Sequence, residues 1–200
     1  MDFHPKAHVE CTDGRIGRLE DIIINPHVER ITHLVVRENN IENTQRLVPE
    51  KFVKDANHDT VQLSIDQKKF QEMKSYIQEE YIPSNVLLYM ADQEGWYAGT
   101  PAAVFLEHEA VPKGRVSVHK GAKVFATDGH AGRVDEFLVH GKSGLISHLV
   151  MVEGHLWGKK DIAIPVSEID HYEEDGDVFL KLNKDQVEAL PVFDEKREEP

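Results

Sequence analysis

Cysteine is nearly absent from this chain: Cys11 is the only one in 200 residues. A lone thiol excludes an internal disulfide framework and the four-cysteine zinc sites. Basic charge is also scarce, with 23 Lys+Arg against 36 Asp+Glu and a net charge of −13. That balance argues against direct binding to a nucleic-acid backbone. Long apolar runs are missing. The stretch 102–106 is among the longest, far short of the roughly 18–20 residues of a spanning helix. Residues 1–6 show no basic segment followed by an apolar one. Neither a signal peptide nor a membrane anchor is therefore expected, and a cytoplasmic location is the default. No His-Glu-x-x-His pattern occurs, and no Cys/His cluster has zinc spacing. What remains is the composition of a soluble globular protein, 30% charged and 40% hydrophobic.

What is present is an internal repeat. Thr12-Asp13-Gly14 returns 115 positions later as Thr127-Asp128-Gly129, and Gly17-Arg18 as Gly132-Arg133. Ile31 returns as Ile146, and His33-Leu34-Val35 as His148-Leu149-Val150. Pro49 matches Pro165 at offset 116, and Val61-x-Leu63 matches Val178-x-Leu180 at offset 117. The drift places one inserted residue in each of two loops.

Within a copy the pattern is that of strands. Residues 7–12 run into Asp13-Gly14, the strongest short hairpin signal. Strands follow over 15–24, 31–37, 47–48 and 60–65, with Pro49 ending the fourth because proline cannot donate to a ladder. The second copy repeats them over 123–127, 130–139, 145–153, 161–164 and 177–182. After the fifth strand the period becomes helical. Asp66 is a candidate N-cap for 66–77, and Asn183 precedes a short helix over 184–190. Gly17 and Gly132 lie inside strands, where glycine marks a bulge or a close backbone approach. Asp13-Gly14 and Asp128-Gly129 are turns; neither opens a helix, so neither is a phosphate loop. Short, curled, antiparallel strands lose their edges best by closing. The expected fold is therefore all-β: two tandem small antiparallel barrels, each followed by a short helix. The expected organisation is a first barrel over 1–75, an apolar connector packing on the barrels over 76–119, a second barrel over 120–192, and a charged tail over 193–200.

The order of an Asp-Gly turn, x-x-Gly-Arg, an acidic residue, Ile-x-His-Leu-Val, a strand ending in Pro and a final Val-x-Leu strand resembles the PRC-barrel family. That family includes the photosynthetic reaction-centre H subunit and the C-terminal domain of a bacterial ribosome-maturation factor. The resemblance covers residues 6–75 and 120–192. It implies a small β-barrel used for protein interaction or assembly, with no catalytic residue to carry over. This sequence lacks the anchor of the reaction-centre subunit. It also puts a second PRC-like unit where the ribosome factor has a different barrel.

Each candidate site has a structural alternative. His33 and His148 are the repeated pair among 12 histidines. They are equivalent ligands or proton switches, or else strand histidines satisfied by neighbours, and a metal site needs three or four convergent ligands. Arg18 and Asp21 recur as Arg133 and Glu136, a pattern expected of cross-strand ion pairs that fix register. Residues 173–177 form an acidic stretch without the alternating ligands of an EF-hand, so a hairpin tip is expected. The first-copy counterpart, 54–59, reads as a turn. Cys11 aligns with Ala126, a small core position. Between the third and fourth strands, the first copy is polar except for Ile41. The second carries His155, Leu156 and Trp157, candidate partner contacts because exposed aromatics anchor interfaces. Trp96 and Tyr97 in the connector are candidates by the same logic.

The expectation is a non-catalytic adaptor or scaffold without catalytic residues, metal or cofactor. Its acidic surface favours a basic protein partner, and the apolar connector could also pack in a homodimer. Two alternatives remain: a ribosome-maturation or RNA-processing factor, and a metal- or small-ligand-binding protein.

Overall fold

A computed structural model describes residues 1–4, 6–82, 104–140, 143–153 and 160–193. Apart from two five-residue helices, two 3-10 turns and the connecting turns, these residues are strands, and the main sheet is strongly curled. The expected all-β class holds.

In the first half, β2 (His8–Cys11), β3 (Gly14–Asn25), β4 (Arg30–Glu38), β5 (Gln45–Pro49), β6 (Val53–Ala56) and β7 (Thr60–Leu63) precede α1 (Gln67–Gln71). In the second, β11 (Lys123–Ala126), β12 (Gly129–His140), β13 (Leu145–Glu153), β14 (Lys160–Pro165), β15 (Ile169–Tyr172) and β16 (Val178–Leu180) precede α2 (Lys184–Glu188). The ladders correspond as well. β5-β4-β3-β2-β7-β6 is the pairing path of the first half, with β2 and β7 parallel. β14-β13-β12-β11-β16-β15 is that of the second, with β11 and β16 parallel.

The curling has a local cause. A register shift in a ladder bends the strand and raises its twist. Shifts fall at Val9/Glu10, Leu19/Asp21 and Ile23/Ile24 in the first half. They recur at Val124/Phe125, Val134/Glu136 and Leu138/Val139 in the second. Alternation then decides what lies inside the curl. Val9 and Cys11 of β2 are buried and His8 and Glu10 are not, as period-two side chains require. Pro49 and Pro165, with φ of −58° and −57°, open matching 3-10 turns that carry β5 into β6 and β14 into β15.

The halves are joined by exchanged strands. β1 (Asp2–Phe3) pairs with β12 through Asp2–Leu138 and Phe3–Phe137. β10 (Val116–His119) pairs with β3 through Ser117–Ile23 and Val118–Ile22. The two registers are the same interaction shifted by 115 residues, each half lending its leading strand to the other. At the junction Arg30 pairs with Leu145. There Ile31 N–H donates to the Gly144 carbonyl at 2.9 Å and Ile146 N–H to the Glu29 carbonyl at 2.8 Å. One hydrophobic cluster runs through both halves, from Phe3, Ile22 and Leu34 to Phe137, Leu149 and Val187. A smaller one, Ile23, Val35, Leu47 and Tyr76, lies apart from it. β8 (Ile77–Ile82) and β9 (Val104–Glu109) form a separate two-stranded sheet.

Three expectations need correction. The helix over 66–77 stops at Gln71. The chain beyond it is recruited by the edge of β5: Leu47 N–H donates to the Lys74 carbonyl at 2.9 Å and Tyr76 N–H to the Gln45 carbonyl at 2.8 Å. Satisfying an open strand edge outweighs the weak propensity of a short helix. Residues 54–56 of the segment read as a turn belong to β6 (Val53–Ala56), paired with β7. Residues 116–119, placed in the connector, are the exchanged strand β10.

Gly17 shows how tightly the curl is packed. A Cβ there would stand 2.0 Å from the Arg37 carbonyl oxygen, against a backbone atom that cannot step aside. Gly17→Ala should cost about 2–4 kcal/mol in a urea titration. Gly114→Ala should cost about 1 kcal/mol, because that residue has a φ of +70° and nothing within 4 Å of its Cβ position. Equal losses would contradict the close-approach account.

Candidate interaction surface

Asp13 and Asp128 do more than turn the chain. Asp13 Oδ1 accepts from Gln67 N–H at 2.9 Å, and Asp128 Oδ1 from Lys184 N–H at 3.0 Å. Each ties its hairpin to the first turn of the helix that follows its half, giving orphan N–H groups an acceptor. Asp66 and Asn183 supply the N-caps. Gly14 and Gly129 take φ of +143° and +126° in the same turns. At Gly132 a Cβ would meet the Val152 carbonyl oxygen at 2.6 Å.

His33 and His148 sit on β4 and β13, opposite Pro49 and Pro165. His33 Nδ1 is 3.1 Å from Thr32 Oγ1, and burial followed by the nearby Arg115 pushes its pKa down. Among the described residues no salt bridge joins Arg18 to Asp21 or Arg133 to Glu136, while Glu136 Oε2 lies 3.7 Å from His58 Nδ1. Arg18 is exposed. Arg133 instead donates to the Gly121 carbonyl at 2.9 Å. Cys11 is buried, and burial raises its thiol to about 11, so it is no nucleophile. Residues 173–177 form the β15–β16 turn, where Asp177 accepts from Lys123 N–H at 2.7 Å. His155, Leu156, Trp157, Trp96 and Tyr97 lie outside the described residues. Among the described residues, no group of three His, Cys, Asp or Glu is placed to hold a metal ion.

Polar clusters mark both strand exchanges. At one, His119 of β10 stands opposite Asp21 of β3. Burial first, then Glu109, lifts the Asp21 carboxyl to about 6. Alongside, the Tyr76 hydroxyl lies 2.5 Å from Glu109 Oε2 and 2.9 Å from Ser117 Oγ. Its single proton serves the carboxylate while Ser117 donates to the phenol oxygen. At the other exchange, the His4 and His58 rings meet at a tilt of 36° with centroids 4.0 Å apart. Lys120 Nζ reaches Asp135 Oδ1 at 2.5 Å and His4 Nε2 at 2.9 Å. Burial, with Lys120 and His58, holds His4 down at about 4. These clusters lie where each half's leading strand meets the other half.

Sequence reasoning missed a row of rings on the outside of the second half. Phe125 and Phe179 stack at 4.9 Å, Phe179 and His171 at 4.7 Å, and Phe125 meets His130 edge-on at 5.7 Å. The row crosses β15, β16, β11 and the start of β12. Both phenylalanines are only partly covered, while their strand neighbours Val124, Ala126, Val178 and Leu180 are buried. The rings therefore face away from the core. In the first half the corresponding positions are Glu10, Gln62, Asp55 and Arg15, and Glu10 and Arg15 form a salt bridge at 3.6 Å. The signal was present in the sequence as the middle residue of the repeated Val-x-Leu: glutamine in one copy, phenylalanine in the other.

No protein-family model matches the chain, and no curated protein is significantly similar to it.

Asp21 and His4 give opposite pH dependences. The raised folded pKa of Asp21 favours its neutral form, so its stability contribution is present at low pH and lost as pH rises through about 6. The lowered pKa of His4 favours its neutral form too, so stability is lost as pH falls from 6.5 toward about 4. Asp21→Asn should therefore stabilise at pH 7.5 by about 1–2 kcal/mol and lose that advantage at pH 4.5. His4→Asn should flatten the acid-side loss. Urea midpoints at the two pH values decide the matter; variants tilting the profile the same way would contradict it.

Proposed function

We propose that this protein is a non-catalytic interaction module whose docking face is the ring row Phe125–Phe179–His171–His130, and whose partner is a basic protein. The row is the observation that carries the reading. Two halves with corresponding ladders differ at one outward stripe, polar on one and aromatic on the other. Aromatic side chains partly open to water on a rigid sheet are the usual anchors of protein interfaces. Acidic residues adjoin them: Asp170 lies 2.8 Å from His171 Nδ1, and the 173–175 turn is Glu-Glu-Asp. An Arg or Lys side chain would find ring faces to stack on and carboxylates to pair with. The net charge of −13 attracts such a partner from a distance.

The same reading takes each half as a small closed barrel of the PRC type, with the 3-10 turns at Pro49 and Pro165 bringing the end strands round. Supporting it are the corresponding pairing paths, the matching register shifts and the parallel β2–β7 and β11–β16 contacts that draw each path into a curl.

The test replaces the row with first-half residues, Phe125→Glu with Phe179→Gln. Immobilised full-length chain should retain a basic protein from native lysate. Calorimetry on that protein should show at least about tenfold weaker binding to the double variant, with Tm changed by no more than about 3 °C. Failure to retain any basic protein, or equal affinity for both forms, would overturn the reading.

A further inference from the structure

A second contrast between the halves points elsewhere, and it does not depend on the docking reading. At the strand junction an open groove of about 520 Å³ is walled by Arg30, Lys51, Arg115, His33 and the apolar Val28 and Pro49. Three cations converge there against one carboxylate, Glu50, in a chain with 13 more acids than bases. Glu50 offsets only one of the three: its Oε2 forms a salt bridge with Arg30 Nη2 at 3.6 Å. Arg115 turns one N–H to the Gly114 carbonyl at 3.0 Å and has no carboxylate partner among the described residues. Lys51 lies over the Phe52 ring at 5.0 Å, likewise without a carboxylate partner there.

The second half has the scaffold without the charges. Leu145 stands in the place of Arg30, Val166 of Glu50 and Ser167 of Lys51, while His148 and Pro165 repeat His33 and Pro49. The fold therefore does not need Arg30 or Lys51; the backbone carries Leu and Ser at the same points.

We propose that the groove is a binding site for a small organic oxyanion, a carboxylate or a phosphate monoester with a compact apolar body. Arg30 and Arg115 offer planar forks suited to two oxygens, and Lys51 offers a point charge. Val28 and Pro49 would cover the body. The volume is that of small-molecule sites. An extended acidic peptide suits the groove less, since its further charges would run out over an acidic surface. A compact anion lies within about 8–10 Å of the three cations, the range over which they outweigh the rest of the surface at ordinary salt.

The test follows backbone amide signals of isotope-labelled full-length protein titrated with inorganic phosphate, phenyl phosphate or benzoate at fixed ionic strength. Saturable shifts are expected at residues 30–33, 51 and 115. A response to the phosphates alone makes the ligand a phosphate ester; a response to benzoate makes it a carboxylate. Arg30→Leu with Lys51→Ser copies the second half and should keep the spectrum outside the groove. Together with Arg115→Gln it should weaken binding at least tenfold. Shifts that rise linearly for every probe, or a midpoint unchanged in the triple variant, would overturn the proposal.

Discussion

Everything in this molecule depends on the reciprocal strand exchange. β1 belongs by sequence to the first half and by hydrogen bonding to the second; β10 is placed the other way round. Phe3 is carried with β1 and is 1% exposed in the shared cluster; Val118 of β10, also 1% exposed, lies in that cluster too. A unit of about 70 residues buries only about 60% of its unfolded surface and is marginal alone. Lending one strand in each direction makes a single larger core from two small ones. The symmetric bonds Ile31–Gly144 and Ile146–Glu29 close the middle. The buried polar groups gathered at the exchanges, with Asp21 lifted to about 6 and His4 held near 4, are the electrostatic cost of running strands through that seam.

Two halves with corresponding pairing paths separate what folding needs from what the surface is free to do. Register shifts, Asp-Gly turns and helix tethers recur because the curl requires them. The outer stripe of β11 and β16, and the groove beside Pro49, do not recur. In the second half the stripe is aromatic and Leu145 and Ser167 stand at the positions of Arg30 and Lys51; in the first the stripe is polar, with the Glu10–Arg15 ion pair, and the groove basic. Each half thus carries a surface that the other shows to be dispensable for folding.

Much of the scaffold was legible in the sequence because it is local. Alternation of Val9 and Cys11 with His8 and Glu10 names the buried face, and the Asp13-Gly14 turn joins β2 to β3. The exchange was not legible: alternation tells which face of a strand is buried but not which strand lies beside it. Asp2–Phe3 is too short to show a period at all, and 116–119 looks like the end of an apolar connector. The helix after Asp66 was overdrawn because Phe70 and Met73 have helical spacing, whereas the β5 edge claims the chain by Lys74. Of the surface features, the aromatic row was within reach of a comparison of the copies. The basic groove was not, since Arg115, Arg30 and Lys51 meet only through folding.

The central claim is that the exchange makes both halves one cooperative unit, and native-state hydrogen exchange under increasing urea tests it most directly. The account predicts that core amides such as Val9 and Val61 in one half, and Val124 and Val178 in the other, converge on one opening free energy with one urea dependence. If one pair opened at lower free energy with a smaller urea slope while the other stayed protected, the halves would be independent and the account would be wrong.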